Sequence, residues 1–146
     1  MASLASVLAD PKRRPQIVDD GVKVIEAEVA DKGGLSGIAI KGAFGTVQRI
    51  KPGFVGQALN HLLDDFAKKV DPFWAECQAQ NQDPRAFFTR RGTEIANALL
   101  SITDQRAAGA AGPARKAYEA LRPKAVEHVT SAMPRLAELM KKHASG

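Results

Sequence analysis

The sequence predicts an all-α, single-domain bundle of about six to eight helices. Apolar residues recur at helical spacing in almost every segment. Asp-Pro, a pair typical of helix N-termini, occurs at residues 10–11, 71–72 and 83–84. We find no run of alternating β-branched residues bounded by turns, the pattern expected of strands. Because a chain of 146 residues can bury about 68–70% of its unfolded surface in one core, residues 1–146 are expected to form one domain.

The first predicted helix follows Pro11 and ends at a pair of glycines. Either Gly33 or Gly34 can supply the left-handed residue that commonly terminates a helix. Ser36 is a candidate cap of the next helix, which should run to about Ile50. The apolar face of the first helix is formed by Val18, Val22, Ile25 and Val29.

A third predicted helix lies between Pro52-Gly53 and Asp71, with Val55, Leu59, Leu62 and Phe66 on its core side. Two short helices should follow, one after Asp71-Pro72 and one after Asp83-Pro84. They carry the aromatic residues Phe73, Trp74, Phe87 and Phe88, together with Cys77.

A further helix is predicted to open at Gly92-Thr93, and small residues at 107–113 are a candidate flexible linker after it. Beyond this linker one apolar stripe continues to the C-terminus. Pro123 and Pro134 interrupt the stripe without shifting its phase, which predicts helical segments kinked at the two prolines.

The helix predicted over residues 36–50 has two different faces. At about 100° per residue, one arc of roughly 120° should face the core. That arc holds Ile40, Ala43, Phe44, Val47 and Ile50. The opposite side holds Gly37, Lys41, Gly42, Gly45, Gln48 and Arg49, together with Ile38. We interpret this side as a shallow notch edged by cations.

Three glycines within this helix cost roughly 2–3 kcal/mol relative to alanine. One explanation is that another helix of the same domain crosses closely over Gly42 and Gly45. A second is that an anionic group or a partner helix binds the notch, and a third is a strained or mobile helix without a specific purpose. The second explanation gives a candidate binding surface of Lys32, Gly37, Lys41, Gly42, Gly45, Gln48, Arg49 and Lys51.

No motif of catalysis or metal binding stands out. The spacing of Gly37 and Gly42 resembles a phosphate-binding loop, but Ala43 and Phe44 come next where Lys and Ser or Thr are required. A glycine pattern at residues 42–47 resembles the end of a kinase loop, but the other kinase motifs are missing. We therefore predict no enzymatic activity, no catalytic residue and no cofactor.

Two side-chain groupings contain residue types that can form chemical sites. His61, Asp64 and Asp65 have metal-ligand chemistry on one helix face, but no second ligand cluster is visible, and a solvated surface is the preferred interpretation. Cys77 is predicted to be a small buried hydrophobe. We predict no metal site.

The formal net charge of +5 makes non-specific nucleic-acid binding an alternative function. The basic pairs are dispersed along the chain, however, so this requires them to converge on one surface. Peripheral contact with an anionic membrane stays open, and no transmembrane segment is expected. A single cysteine and an N-terminus unlike a secretory signal predict a cytoplasmic protein.

Segments throughout the chain resemble a family of small bacterial proteins, mainly actinobacterial, known as a domain of unknown function. They include residues 28–37, 51–53, 63–66, 71–75, 99–104 and 133–136, together with Ile40-Lys41-Gly42. The resemblance implies an α-helical fold and carries no reaction, cofactor or site residue.

The leading functional prediction is a non-enzymatic interaction protein that binds a protein partner, or a second copy of itself, through the glycine-basic helix. A third hypothesis, next to nucleic-acid binding, is an apolar-ligand or lipid-binding bundle. It is motivated by the aromatic cluster, although sealing of the core is the preferred role of those residues.

Overall fold

A computed structural model describes residues 3–144 of the chain, without the side chains of Ser36, Ile50 and Ala114. The fold is all-α, as predicted. The prediction that Ser36 caps the helix expected over residues 36–50 is wrong, because that helix begins at Gly34 with Gly33 as its N-cap. The predicted role of Ile50 in the core and the ends of the predicted domain lie outside the described parts. The helices are α1 (Leu4–Leu8), α2 (Arg14–Asp31), α3 (Gly34–Ile50), α4 (Phe54–Ala79), α5 (Pro84–Arg90), α6 (Gly92–Ala108), α7 (Pro113–Leu121), α8 (Ala125–Ser131) and α9 (Met133–Ala144).

One half of the bundle is solidly packed around α4. Apolar residues at helical spacing along α4 pack against α1, α2, α5 and α6, and α9 packs against α5. Trp74 meets Phe88 edge to face, with ring centroids 6.2 Å apart. The buried residues of this core are Leu4, Val7, Leu8, Ile17, Leu63, Ala67, Val70, Trp74, Cys77, Phe87, Phe88, Ile95, Met133, Ala137, Met140 and Ala144.

The prediction that Asp71-Pro72 starts a new helix is wrong, because α4 continues through Pro72. Packing of α4 into the core on both sides of the proline outweighs its cost of about 3 kcal/mol. Asp71 caps another helix instead. Its carboxylate accepts hydrogen bonds from the amides of Leu4, at 2.7 Å, and Ala5, at 3.0 Å, at the N-terminus of α1.

The other two Asp-Pro pairs behave differently from each other. Asp83 caps α5 as predicted, since its carboxylate accepts from the amide of Ala86 at 3.0 Å and Pro84 is the first helical residue. Asp10 accepts from the amide of Lys12 in a turn, and α2 begins later, at Arg14. Whether an Asp-Pro pair marks a turn or a helix start therefore depends on the residues after the proline.

The C-terminal helices break at the two predicted prolines. Pro123 lies in a single 3₁₀ turn, Arg122–Lys124, between α7 and α8, and Pro134 lies in the first turn of α9. At its far end α9 is tethered to α2, because His143 Nε2 lies 2.7 Å from an Asp20 carboxylate oxygen. Lys142 also pairs with Asp20, and these two partners hold the pKa of Asp20 below its ordinary value.

The opposite half of the bundle is more open. Among the described residues, α3, α7 and α8 contribute nothing to the buried core cluster. The inner face of α3 is as predicted: Ile40 is buried, and Ala43, Phe44 and Val47 are half-buried. No helix in the described part of the chain is both long enough and apolar enough to cross a membrane.

The three glycines of α3 have different surroundings. A Cβ atom built on Gly37 would lie 2.6 Å from the Lys32 carbonyl oxygen, so this glycine permits the tight turn between α2 and α3. A Cβ atom on Gly42 or Gly45 would have no neighbouring atom within 4 Å. Within the described residues no other helix crosses these two positions closely, which removes the intradomain-packing explanation for them.

We expect Gly42→Ala to stabilise the protein by up to about 1 kcal/mol, since alanine loses less conformational entropy in a helix and clashes with nothing. Gly37→Ala on the same helix should destabilise by about 1–3 kcal/mol, because the Lys32 backbone must move. Urea unfolding at low micromolar protein concentration measures both. Gly45→Ala is the matched control and should behave like Gly42→Ala. A destabilised Gly42→Ala variant would contradict the open position of Gly42.

Candidate functional site

An apolar pocket of about 390 Å³ occupies the open half of the bundle. It lies between α2, α3, α4, α6, α7 and α8, and its mouth is open to solvent. Ligand sites are typically concave, mostly apolar and of about 300–1,000 Å³. The apolar wall is formed by Val24, Ile25, Val29, Ile40, Phe66, Leu99, Leu100, Leu121, Ala125, Val129 and Ala132.

A second apolar cavity of about 180 Å³ lies behind the pocket, toward the solid core. Four residues belong to the walls of both spaces: Val24, Ile25, Phe66 and Leu99. Side chains of these residues separate the two volumes. The apolar interior therefore continues inward from the pocket mouth.

A buried carboxylate organises one rim of the pocket. Glu28, whose side chain is 12% exposed, accepts from Lys32 Nζ at 3.2 Å and also pairs with Arg135 of α9. Lys32 in turn donates to the Ser131 hydroxyl and to the His128 carbonyl. Because both cations converge on Glu28, this cluster fixes the position of α2 against α8 and α9.

A second polar network closes the wall near α7. The Tyr118 hydroxyl donates to Asp104 and lies 2.8 Å from the Thr103 hydroxyl. Arg122 donates to both oxygens of the same Asp104 carboxylate, at 2.8 and 3.0 Å. The Arg122 hydrogen bonds, followed by that of Tyr118, lower the pKa of Asp104. The network holds α7 against α6.

His128 is the titratable ring in the pocket wall. Burial lowers its pKa below 6.5, and the nearby Lys32 cation lowers it further. Lys124 acts in the same direction, while Glu127 and Glu28 oppose it. The imidazole is therefore neutral at pH 7 and adds no charge to the pocket wall.

The structure divides the binding surface predicted from the sequence into two parts. Lys32 belongs to the pocket rim, and Gly37 is held against the Lys32 backbone. Gly45 is half-exposed, and the remaining members point outward along α3 and its end. These exposed residues are Lys41, Gly42, Gln48, Arg49 and Lys51.

The outer face of α3 also carries two large apolar side chains. Leu35 is 87% exposed and Ile38 is 70% exposed. They lie on the same helix face as Gly42 and Gly45, one to three turns earlier. The outer face is therefore apolar as well as poor in side chains, a combination that the sequence reasoning only partly recognised.

Of the residues considered for metal and thiol chemistry, His61 is exposed, while Asp64, Asp65 and Cys77 make contacts within the fold. Asp64 pairs with Arg14 at 3.0 Å and Asp65 with Arg106 at 3.1 Å. Cys77 is buried as predicted, and its thiol donates to the Gln82 carbonyl. Burial raises the pKa of this thiol, so the reactive thiolate is disfavoured. Within residues 3–144, three or more His, Cys, Asp or Glu side chains do not gather into a metal-ligand group.

Several basic residues considered for nucleic-acid contact are engaged in ion pairs. Arg14 pairs with Asp64, and Lys142 pairs with Asp20. Arg91 binds Glu76 and Glu94, at 2.9 and 2.8 Å. Neighbouring carboxylates thus offset part of the positive charge that would have to converge on a phosphate backbone.

The predicted aromatic cluster seals the solid core and does not line the pocket. Trp74, Phe87 and Phe88 are almost completely buried, and none of them lies in the pocket wall. The aromatic residues of the wall are Phe66 and Tyr118. Sequence reasoning missed the pocket because its wall residues, taken singly, have the spacing of ordinary core residues. The small side chains Ala125 and Ala132, opposite α2, were the available signal.

Comparison with known proteins identifies a family without a known activity. The model of a family of unknown function (DUF6918) matches residues 4–144. No curated protein and no solved structure matches the chain. Because the match covers almost the whole chain, the protein belongs to this family of unknown function.

Proposed function

We propose that the protein is a non-enzymatic binding protein that holds a neutral apolar molecule in the pocket between α2, α3, α6, α7 and α8. The observation that carries the proposal is the open apolar space of about 390 Å³. The recess has the size typical of ligand sites, and most of the side chains that line it are apolar. An apolar cavity of roughly 150 Å³ is already sufficient for benzene.

The polar groups at the pocket favour a neutral ligand. Glu28 and Lys32 neutralise each other, and Thr103 and Tyr118 already bond within the second network. His128 is neutral at pH 7 because burial lowers its pKa. An anionic head group would meet the Glu28 carboxylate beside the Lys32 ammonium group, and would gain little. Recognition then rests on shape and apolar contact.

A second candidate function is docking of a protein at the outer face of α3. The exposure of Leu35 and Ile38 favours it, because large apolar side chains together on one exposed helix face often mark an interaction site. Among the described residues, nothing covers Gly42 or Gly45. Nucleic-acid binding stays an alternative prediction and draws its support from the net charge alone. We place the protein in the cytoplasm, consistent with its single, buried cysteine.

The neutral fluorescent probe N-phenyl-1-naphthylamine should bind one-to-one with a Kd in the micromolar range. Ala132→Phe fills the pocket with a ring and should weaken this binding at least about tenfold, a loss of about 1.4 kcal/mol. Dodecanol should displace the probe better than dodecanoate. A fluorescence titration at pH 7.5 measures each affinity.

Ala120→Phe, on the exposed side of α7, is the matched control and should bind the probe like the unmodified protein. Ala125→Leu gives a milder filling of the same wall in case the larger ring disturbs folding. Equal probe affinity in the filled and unfilled proteins would contradict the proposal.

Probe binding should weaken as the pH falls from 7.5 to well below 6.5. Since burial lowers the pKa of His128 below 6.5, the ring stays neutral at the upper pH and gains a proton only as the pH falls through this lowered pKa. A cation in the apolar wall opposes a neutral ligand, and a loss of about tenfold is expected once protonation is complete.

His128→Leu should hold its affinity within about twofold over the same pH range, because the titrating group is gone while the wall stays apolar. The comparison uses paired titrations at both pH values. An equal loss in the variant would assign the pH effect to another group.

A further inference from the structure

The outer face of α3 contains a pair of large side chains and a pair of glycines with equal spacing. Leu35 and Ile38 are three residues apart, as are Gly42 and Gly45. At about 100° per residue all four fall within one arc of roughly 80°. The first pair protrudes into solvent, and the second pair leaves the backbone uncovered. One helix face thus carries both protrusions and recesses.

We propose that two copies of the chain associate through antiparallel α3 helices, with a two-fold axis near residue 40. In this register Ile38 of one copy lies against Gly42 of the other, and Leu35 lies against Gly45. Both contacts occur twice, as two-fold symmetry requires. Because Leu35 and Ile38 are as far apart as Gly42 and Gly45, one register places each large side chain against a glycine of the other copy. This inference gives the docking face of the second candidate function its partner.

The charges along α3 favour the same direction of pairing. Asp31 adjoins the N-terminal end of α3; it pairs with Arg135, but its side chain is 63% exposed and stays accessible to a second cation. Arg49 and Lys51 lie at the C-terminal end. Antiparallel association brings these two cations beside Asp31 of the other copy, and it also opposes the helix dipoles. Parallel association would place Leu35 on Leu35 and cation on cation.

Sedimentation equilibrium tests the association. The unmodified protein should approach twice its 15.6 kDa mass as its concentration rises toward about 0.2 mM. Gly45→Leu should restore the monomer, or weaken association at least about tenfold, because the new side chain occupies the place of the partner's Leu35. It should fold normally, since a Cβ atom there meets nothing within 4 Å. Gln48→Leu, exposed on another side of α3, is the matched control and should associate like the unmodified protein.

Cysteine cross-linking tests the register. Under mild oxidation a mixture of Ile38→Cys and Gly42→Cys proteins should give several times more disulfide dimer than either variant alone. Opposed positions come within the Cα distance of about 7 Å that a disulfide permits. Unmodified protein is the control for Cys77, which is buried.

A monomer at every concentration overturns the inference, and so does preferential cross-linking of Ile38→Cys with itself. Probe binding, measured on the Gly45→Leu protein, shows whether a failure of the dimer proposal is separate from a failure of the proposed ligand binding. Unchanged probe affinity in a monomeric Gly45→Leu protein supports the view that pocket and interface act independently.

Discussion

The Glu28 carboxylate, which pairs with Lys32 and Arg135, fixes the positions of the helices around the open half of the bundle. It pairs with Arg135 of α9, and its neighbour Lys32 donates to the His128 carbonyl and the Ser131 hydroxyl of α8, so α2 cannot slide across the pocket without breaking contacts to α8 and α9. Removing Glu28 would leave two half-buried cations facing each other, a costly arrangement. The Asp104 network fixes α7 in the same manner. Polar contacts at the rim thus maintain a space that apolar side chains alone would tend to close.

The two halves of the bundle differ in how tightly their interiors are packed. Trp74, Phe87 and Phe88 are almost completely buried in the half around α4, and this half supplies the buried core cluster. On the side of α8, two of the residues that face the pocket, Ala125 and Ala132, are small, and the interior is left open. Helix α3 contributes both to the inner surface of the open half, which lines the pocket, and to its outer surface. Its buried residue Ile40 lines the pocket, while Leu35, Ile38 and the two uncovered glycines face outward.

Much of the fold could be predicted from the sequence, because local signals and packing agree there. Helix α6, the Asp83 cap and the breaks at Pro123 and Pro134 follow directly from residue type. The helix start predicted at Asp71-Pro72 was wrong because packing of the long helix α4 outweighed the local signal of the Asp-Pro pair. Helix α1 was missed because it is only five residues long; its N-terminus is held by a local capping box of Ser3 and Ser6 and by Asp71, far along the chain. The outer position of Gly42 was correct, but the pocket depends on distances between helices, which no residue pattern encodes.

The open half of the bundle contains apolar space that opens to solvent, and a smaller cavity continues inward as far as Leu63 and Val70. Met133 and Met140, by contrast, lie in the fully buried core. Xenon enters dry apolar cavities without requiring polar partners, so methyl NMR under xenon pressure tests this difference most directly. We predict saturable shifts for methyl groups of Leu99 and Val129, which line the pocket, and unchanged resonances for Met133 and Met140 in the solid core. Two results would contradict the proposed pocket: saturable shifts of equal size in both halves, or the absence of saturable shifts at Leu99 and Val129.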